Sequence, residues 1–115
     1  MKITEWQQTV DRWIKKYGVR YFDEMTNTLL LNEEVGELSR LIARKYGEQS
    51  FKTETKPIQI EQDISDEIGD ILFVVTCLAN QMNIDLDYVL KQNIQKKTNR
   101  DHSRHHANPK LDETK

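Results

Sequence analysis

The spacing of apolar residues along the chain predicts a first helix near the N-terminus. Apolar side chains recur at steps of three and four residues from Trp6 to Tyr17, which is the period of an amphipathic helix. Thr4 precedes this pattern and is a residue type that caps helix N-termini, whereas Gly18 ends it. We therefore expect a helix that Thr4 caps and that stops at Gly18.

Three further apolar patterns predict three more helices and no strand. The second covers residues 30–46 and ends before Gly47, and the third runs from residue 58 to about residue 82. Asp85 precedes a fourth pattern and is expected to cap a shorter helix that ends near residue 98. The segment 48–57 is polar and without periodicity, which predicts a mobile loop between the second and third helices.

The composition predicts one domain that assembles with partner subunits. A chain of 115 residues fits a single hydrophobic core. We expect the domain to cover residues 1–104 and residues 105–115 to form a polar, flexible tail. Apolar residues make up only 37% of the chain and charged residues 31%, so a single copy has little apolar surface to bury. A partner subunit is expected on this ground.

Charge and cysteine content exclude several classes of protein. The 17 basic and 19 acidic residues leave a net charge of -2, which would not attract a nucleic acid. The chain has one cysteine, Cys77, within an apolar run, so we expect a small buried side chain rather than an internal disulfide. Neither a signal peptide nor an apolar run of about 18 residues is found, which excludes a membrane span. We expect a soluble, cytoplasmic protein.

Two short segments carry the same arrangement of acids. Glu34 and Glu37 lie three residues apart in the second predicted helix, and Glu67 and Asp70 lie three apart in the third. At about 100° per residue, this spacing places both acids of a pair on one side of the helix. Glu34 and Glu67 fall within the apolar stripes of their helices, so they point toward the core. A carboxylate buried without a partner is costly or becomes protonated, and the pattern therefore predicts a compensating cation.

Two kinds of cation could fill this role. Arg40 and Arg44 lie on the second helix and could form an ion-pair network with the acids. A hard divalent cation such as Mg²⁺ is the better candidate because it prefers oxygen ligands. The helices contain neither a Cys or His cluster that would indicate zinc nor a Glu-x-x-His pair that would indicate a di-iron site. Gly36 and Gly69 occupy equivalent places in the two segments, either to allow close approach of a helix or ligand or as tolerated surface glycines.

With these two segments, the chain resembles the MazG-like all-alpha NTP pyrophosphohydrolase superfamily. The mark of that family is Glu-x-x-Glu on one helix and Glu-x-x-Asp on the next, and the similarity covers roughly residues 6–104. The resemblance implies an all-α, four-helix bundle-type domain that assembles as a dimer or tetramer. It also implies Mg²⁺-dependent hydrolysis of a ribo- or deoxyribonucleoside triphosphate to the monophosphate and pyrophosphate, with Mn²⁺ as a substitute metal. The implied metal ligands are Glu34, Glu37, Glu67 and Asp70.

The resemblance also suggests residues that act on water and substrate. Glu33 and Glu34 are both candidates for the carboxylate that orients the attacking water, and the sequence does not choose between them. Basic and polar residues after the fourth helix hold phosphates in the family, and the matching residues here are Lys97, Asn99 and Arg100. The alternative for them is a solvated basic helix end. Trp13 is a candidate for stacking on the base, with burial in the core as its alternative.

Two other functions remain open from the sequence. One is a non-catalytic helical module that binds a nucleotide or a metal without turnover. The other is an enzyme that acts on a phosphoribosyl nucleotide such as phosphoribosyl-ATP. The intact set of four carboxylates argues against the non-catalytic module. Substrate competition would distinguish an enzyme for phosphoribosyl nucleotides from one for nucleoside triphosphates. The preferred base and sugar, and the choice between a canonical and a modified nucleotide, depend on the shape of the pocket.

Overall fold

A computed structural model describes residues 1–112, and within this range the chain is helical and contains no strand. The bounds of the helices are α1, Ile3–Trp13, continued by a π-helical turn at Ile14–Gly18; α2, Glu24–Tyr46; α3, Pro57–Gln81; α4, Leu86–Asp101; and a short 3-10 turn at Pro109–Leu111. The predicted all-α fold with four main helices is confirmed. The tail predicted over residues 105–115 includes Glu113, Thr114 and Lys115, which lie outside the described residues.

Of the two N-terminal caps predicted from the sequence, Asp85 for α4 is confirmed and Thr4 for α1 is not. Asp85 caps α4, where its carboxylate accepts a hydrogen bond from the backbone N–H of Asp87. Asp23 caps α2 by accepting a bond of 2.7 Å from the N–H of Thr26. The prediction that Thr4 caps α1 is wrong, because the N–H of Trp6 already bonds the carbonyl of Lys2 at 2.9 Å and the helix begins before Thr4.

Helices α2 and α3 form an antiparallel pair. The amide of Asn27, near the start of α2, donates to Gln81 at the end of α3 at 2.7 Å. At the opposite end of the pair, Lys45 lies 3.9 Å from Glu61. The segments that carry the acids therefore face each other near the middle of the two helices.

Helix α1 packs on the C-terminal half of α3 and forms the core with it. Val10 and Ile14 bury their side chains against Cys77, and the partly buried rings of Trp6, Tyr21 and Phe73 surround them. The prediction that Cys77 is a buried free thiol is confirmed. Trp6 also donates its indole N–H to the buried hydroxyl of Thr76 at 2.8 Å, which fixes the position of α1 along α3.

The turn between α3 and α4 is held by the side chain of Gln7. Its amide nitrogen donates to Asn80 at 3.0 Å and to the carbonyl of Ile84 at 2.9 Å, and its oxygen accepts the N–H of Leu86 at 2.9 Å. The direction in which α4 leaves α3 is therefore set by α1.

Helix α4 extends away from the rest of the chain. It has no buried residue, and its main packing partner is α1. The radius of gyration is 18.3 Å, whereas a compact domain of about 100 residues has one of about 13 Å. The four helices of a single chain consequently do not close into one bundle. None of the helices in residues 1–112 is both long and apolar enough to cross a bilayer.

Candidate metal and nucleotide site

Three of the predicted acids form a compact carboxylate cluster between α2 and α3. Glu34, Glu67 and Asp70 each offer one oxygen, and these three oxygens all lie within 4.8 Å of one another. Glu34 and Glu67 are half-buried, whereas Asp70 is exposed at the edge of the helix pair. The antiparallel packing thus unites acids that are more than 30 residues apart in the sequence.

No basic side chain within residues 1–112 forms an ion pair with this cluster. Oε2 of Glu67 is buried and has no hydrogen-bond partner. A hydrogen bond between Glu67 and Glu34, burial, and the charges of Glu34, Asp70 and Glu37 raise the pKa of Glu67 to about 7. Burial and the charges of Glu34 and Asp66 also raise the pKa of Asp70 above its ordinary value. A cation that binds between these carboxylates would stabilise their ionised forms.

The other two predicted acids lie outside the cluster. Glu37 accepts two hydrogen bonds of 3.2 Å from the guanidinium of Arg40, and its side chain is 53% exposed. The ion-pair alternative from the sequence therefore describes Glu37. Glu33 is exposed and lies about 100° around α2 from Glu34. Its side chain does not point into the cluster.

The predicted phosphate-binding residues are distant from the carboxylates in a single chain. Lys97, Asn99 and Arg100 are exposed on the last turns of α4. Arg100 is paired with its neighbour Asp101 at 2.7 Å. Across residues 1–112, no hydrogen bond or ion pair connects these three residues to α2 or α3, because α4 extends away from the helix pair.

Trp13 contacts α3 one helical turn beyond Asp70, through Phe73, and has one part of its ring open to solvent. It is 48% exposed, which excludes full burial in the core. Its ring makes an edge-to-face contact with Phe73 at 5.5 Å and a tilted contact with Tyr17 at 5.7 Å. Phe73 follows Asp70 by one helical turn. These three rings, here called the aromatic cluster, form a stacking surface next to the carboxylates.

A basic pocket that the sequence analysis did not predict lies beyond the carboxylates in the direction of the N-terminus of α3, away from Phe73. It has a volume of about 330 Å³ and lies between the C-terminal half of α2, the start of α3 and the loop 47–56. We call it the loop pocket; its polar lining is Arg40, Arg44, Lys52, Thr53, Thr55 and Asp63. One signal was available in the sequence, since Arg44 follows Glu37 by seven residues and so lies on the same side of α2.

Comparison with known proteins gives consistent results. Residues 22–105 match the family model of the MazG nucleotide pyrophosphohydrolase domain. The chain is 36% identical over 98 residues to the uncharacterized protein YpjD of Bacillus subtilis (strain 168), an alignment that covers 85% of each chain. The crystal structure of B. subtilis YPJD, a candidate pyrophosphatase, superimposes with a TM-score of 0.70 at 33% identity and covers 84% of this chain and 92% of that one.

A second solved structure is similar to the same extent. It is that of the Bacillus-conserved MazG protein, a nucleotide pyrophosphohydrolase, with a TM-score of 0.69 and 32% identity. The alignment covers 84% of this chain and 88% of the other. The likeness therefore extends over α2, α3 and the helices around them, and includes the segments that carry the acids.

Proposed function

The chain belongs to the MazG nucleotide pyrophosphohydrolase family, and on this premise we propose that it hydrolyses a ribo- or deoxyribonucleoside triphosphate to the monophosphate and pyrophosphate with Mg²⁺ as its cofactor. The observation that carries the proposal is the carboxylate cluster, in which Glu34, Glu67 and Asp70 converge without an ion pair to any basic side chain in the described part of the chain. Such a set of oxygen donors suits a triphosphate that arrives with its metal.

The residues present fit a hard divalent cation. All three converging donors are carboxylate oxygens, and the buried Oε2 of Glu67 lacks the partner that a buried anionic oxygen requires. Glu34, Glu67 and Asp70 would hold the metal, with Glu37 as a fourth ligand in exchange for Arg40. Mn²⁺ has the same ligand preference and would substitute. When bound, the metal supplies neutralisation of the triphosphate and Lewis acidity at the scissile phosphorus.

Among the acids, Glu34 is our choice for orienting the attacking water. A general base must lie within hydrogen-bond reach of the water it acts on, and Glu34 is part of the carboxylate cluster whereas Glu33 is directed away from it. Trp13, supported by Phe73, stacks on the base of the nucleotide. We expect Glu34→Gln to reduce turnover much more than Glu33→Gln.

We also propose that the chain works as a homodimer or homotetramer. An apolar groove of about 510 Å³ runs between α1, α3 and α4 and is lined by Ile3, Trp6, Leu72, Val75 and Leu90, among others. Other apolar residues of α4, such as Ile94, are exposed beside it. A second copy is the occupant that suits this surface. Each copy carries the same groove and the same apolar helix, so the helix of one copy can cover the groove of the other. Lys97, Asn99 and Arg100 would then reach a carboxylate cluster only across the interface.

Pyrophosphate release from a panel of ribo- and deoxyribonucleoside triphosphates tests the proposed reaction. We expect release with Mg²⁺, none with a chelator, and a loss of at least about 100-fold in Asp70→Asn and Glu67→Gln, since each variant removes one donor of the metal. Glu61→Gln serves as the matched control, because Glu61 is an exposed acid on the same helix outside the cluster.

Three results would change the assignment. Wild-type turnover in both Asp70→Asn and Glu67→Gln would contradict the metal site. Binding of Mg²⁺ without hydrolysis of any nucleotide would indicate a non-catalytic module. Hydrolysis restricted to phosphoribosyl nucleotides would place the enzyme with phosphoribosyl-ATP pyrophosphohydrolases.

A further inference from the structure

The loop pocket lies on the same side of the helix pair as the carboxylate cluster. Leu41, which lines the pocket, follows Glu34 by seven residues, so the two side chains leave α2 within about 20° of each other. Asp63 precedes Asp70 by seven residues and has the same relation to it on α3. The pocket therefore continues the groove of the carboxylates, displaced by one to two helical turns, or about 5–10 Å.

The segment that closes the pocket is held in place by local packing. A Cβ at Gly47 would lie 2.6 Å from the carbonyl oxygen of Ala43, so the chain can leave α2 this closely only with glycine here. Phe51 is half-buried and lines the pocket, and Thr55 donates its hydroxyl to the carbonyl of Thr53 at 3.1 Å. The sequence analysis predicted a mobile loop over residues 48–57. In the structure, four residues of this segment line the pocket together with residues of α2 and α3, namely Phe51, Lys52, Thr53 and Thr55.

The pocket carries an excess of positive charge, and some hydrogen-bond donors of its basic side chains are not used by any residue between 1 and 112. Arg40, Arg44 and Lys52 line the pocket with a single carboxylate, that of Asp63, and since Arg40 is already paired with Glu37, the excess charge is carried by Arg44 and Lys52. Arg44 donates one bond, from Nη1 to the carbonyl of Arg40 at 3.2 Å, which leaves its other guanidinium donors available. Lys52 makes no hydrogen bond or ion pair with any residue between 1 and 112. Guanidinium groups with free donors and an unpaired ammonium are groups that bind phosphate.

We propose that the loop pocket binds the two terminal phosphates of the substrate, those that leave as pyrophosphate. This inference rests on the proposed function and adds the direction in which the nucleotide lies across the site. The aromatic cluster lies on one side of the carboxylates and the loop pocket on the other. A substrate with its base at Trp13 and its α-phosphorus at the carboxylates has its remaining phosphates directed at Arg44 and Lys52. The distance along α3 from Phe73 to Asp63 is ten residues, or about 15 Å.

Binding of the two products tests this direction without turnover. Titration calorimetry with Mg²⁺ would measure the affinity of wild type, Arg44→Gln and Lys52→Gln for inorganic pyrophosphate and for a nucleoside monophosphate. Loss of a charge-assisted hydrogen bond should weaken pyrophosphate binding by about 10-fold or more, with monophosphate affinity changed by less than about 2-fold. Lys56→Gln is the matched control, since Lys56 has the same charge on the same segment but does not line the pocket.

Two outcomes would overturn the proposal. One is an unchanged pyrophosphate affinity in both Arg44→Gln and Lys52→Gln, and the other is a loss of monophosphate affinity in place of pyrophosphate affinity, which would reverse the direction of the substrate. Lys52 is exposed, so its variant keeps the test valid even if Arg44→Gln does not fold. Failure of the proposed hydrolysis is a separate result, because it is seen as absent turnover in wild type, whereas pyrophosphate binding is measured in the absence of any reaction.

Discussion

Glu34 on α2 and Glu67 on α3 share one site across the helix pair, and the hydrogen bond between them is the largest contribution to the raised pKa of Glu67, which is about 7. Two carboxylates at this distance are not both ionised readily, because each negative charge disfavours the other. A divalent cation bound between them removes this conflict. The stability of the folded protein should therefore depend both on pH and on the bound metal.

The stability of the metal-free protein should depend on the proton at Glu67. The folded-state pKa of about 7 lies above the ordinary value of 4.5, so the folded protein holds a proton that the unfolded chain has already released in this range. The contribution is fully present below about pH 4.5 and is lost as the pH rises through about 7. We expect the melting temperature in chelator to be higher at pH 5.5 than at pH 8, as measured by thermal denaturation, and Glu67→Gln to flatten this dependence.

The acids whose pKa values are lowered do not mask the effect of Glu67. Hydrogen bonds lower the pKa values of Asp11, Asp23 and Asp101 from 3.8, so the stability that they contribute is lost only in more acidic solution. Addition of Mg²⁺ should raise the melting temperature more at pH 8 than at pH 5.5, because protons compete with the metal for the same oxygens. An equal pH dependence in wild type and Glu67→Gln would contradict this account.

The hydrogen bond from Trp6 to Thr76 should stabilise the packing of α1 on α3. Thr76 is 2% exposed, and its hydroxyl accepts the indole N–H at 2.8 Å. Thr76→Val keeps the volume but leaves the indole N–H without a partner, which should lower the free energy of unfolding by about 1–3 kcal/mol. Urea denaturation would measure this change. Thr28→Val is the control, since the hydroxyl of Thr28 is exposed and bonds only within α2; an equal loss there would contradict a specific role for the buried bond.

A charge in the apolar groove should dissociate the assembly and leave the helices folded. Leu72 is 56% exposed in the single chain, so Leu72→Glu costs little in an isolated copy but would bury a charge against a second one. Light scattering after size-exclusion chromatography should show a dimer or tetramer for wild type and a smaller species for the variant. Leu111→Glu is the control, because Leu111 is equally exposed but lies outside the groove. A wild-type monomer would contradict the proposed assembly.

Substitution of Gly47 should displace the segment that closes the loop pocket. The new Cβ would lie 2.6 Å from the carbonyl oxygen of Ala43, so the backbone must move. We expect Gly47→Ala to raise KM for the triphosphate by several fold and to weaken pyrophosphate binding, with a smaller effect on kcat. Steady-state kinetics and calorimetry would measure these changes.

Gly36 supplies the contrast to Gly47. A Cβ built at Gly36 has no neighbour within 4 Å. Gly36→Ala should therefore stabilise α2 by about 0.5–1 kcal/mol, because alanine loses less backbone entropy in a helix.

If Gly47→Ala left pyrophosphate affinity at the wild-type value, the packed conformation of the loop would not be needed for the pocket.

The sequence by itself determined the helices and the pairing of the acids within each helix. Apolar periodicity located α2 and α3, and Asp85 marked the start of α4 because a cap is a local interaction between residues close in sequence. The i, i+3 spacing of Glu34 and Glu37 and of Glu67 and Asp70 was sufficient to indicate a site for a cation. These features depend on the geometry of one helix, which is the same wherever that helix packs.

Only the tertiary structure decided which residues meet across helices. Periodicity specifies the face of a helix but not the level at which a second helix crosses it. This level determines that Glu34 meets Glu67, and that Arg44, Lys52 and Asp63 line one pocket. The same limit explains why the sequence did not indicate that α4 carries Lys97 and Arg100 away from the cluster, since the direction of α4 depends on hydrogen bonds from Gln7, more than 70 residues earlier in the chain.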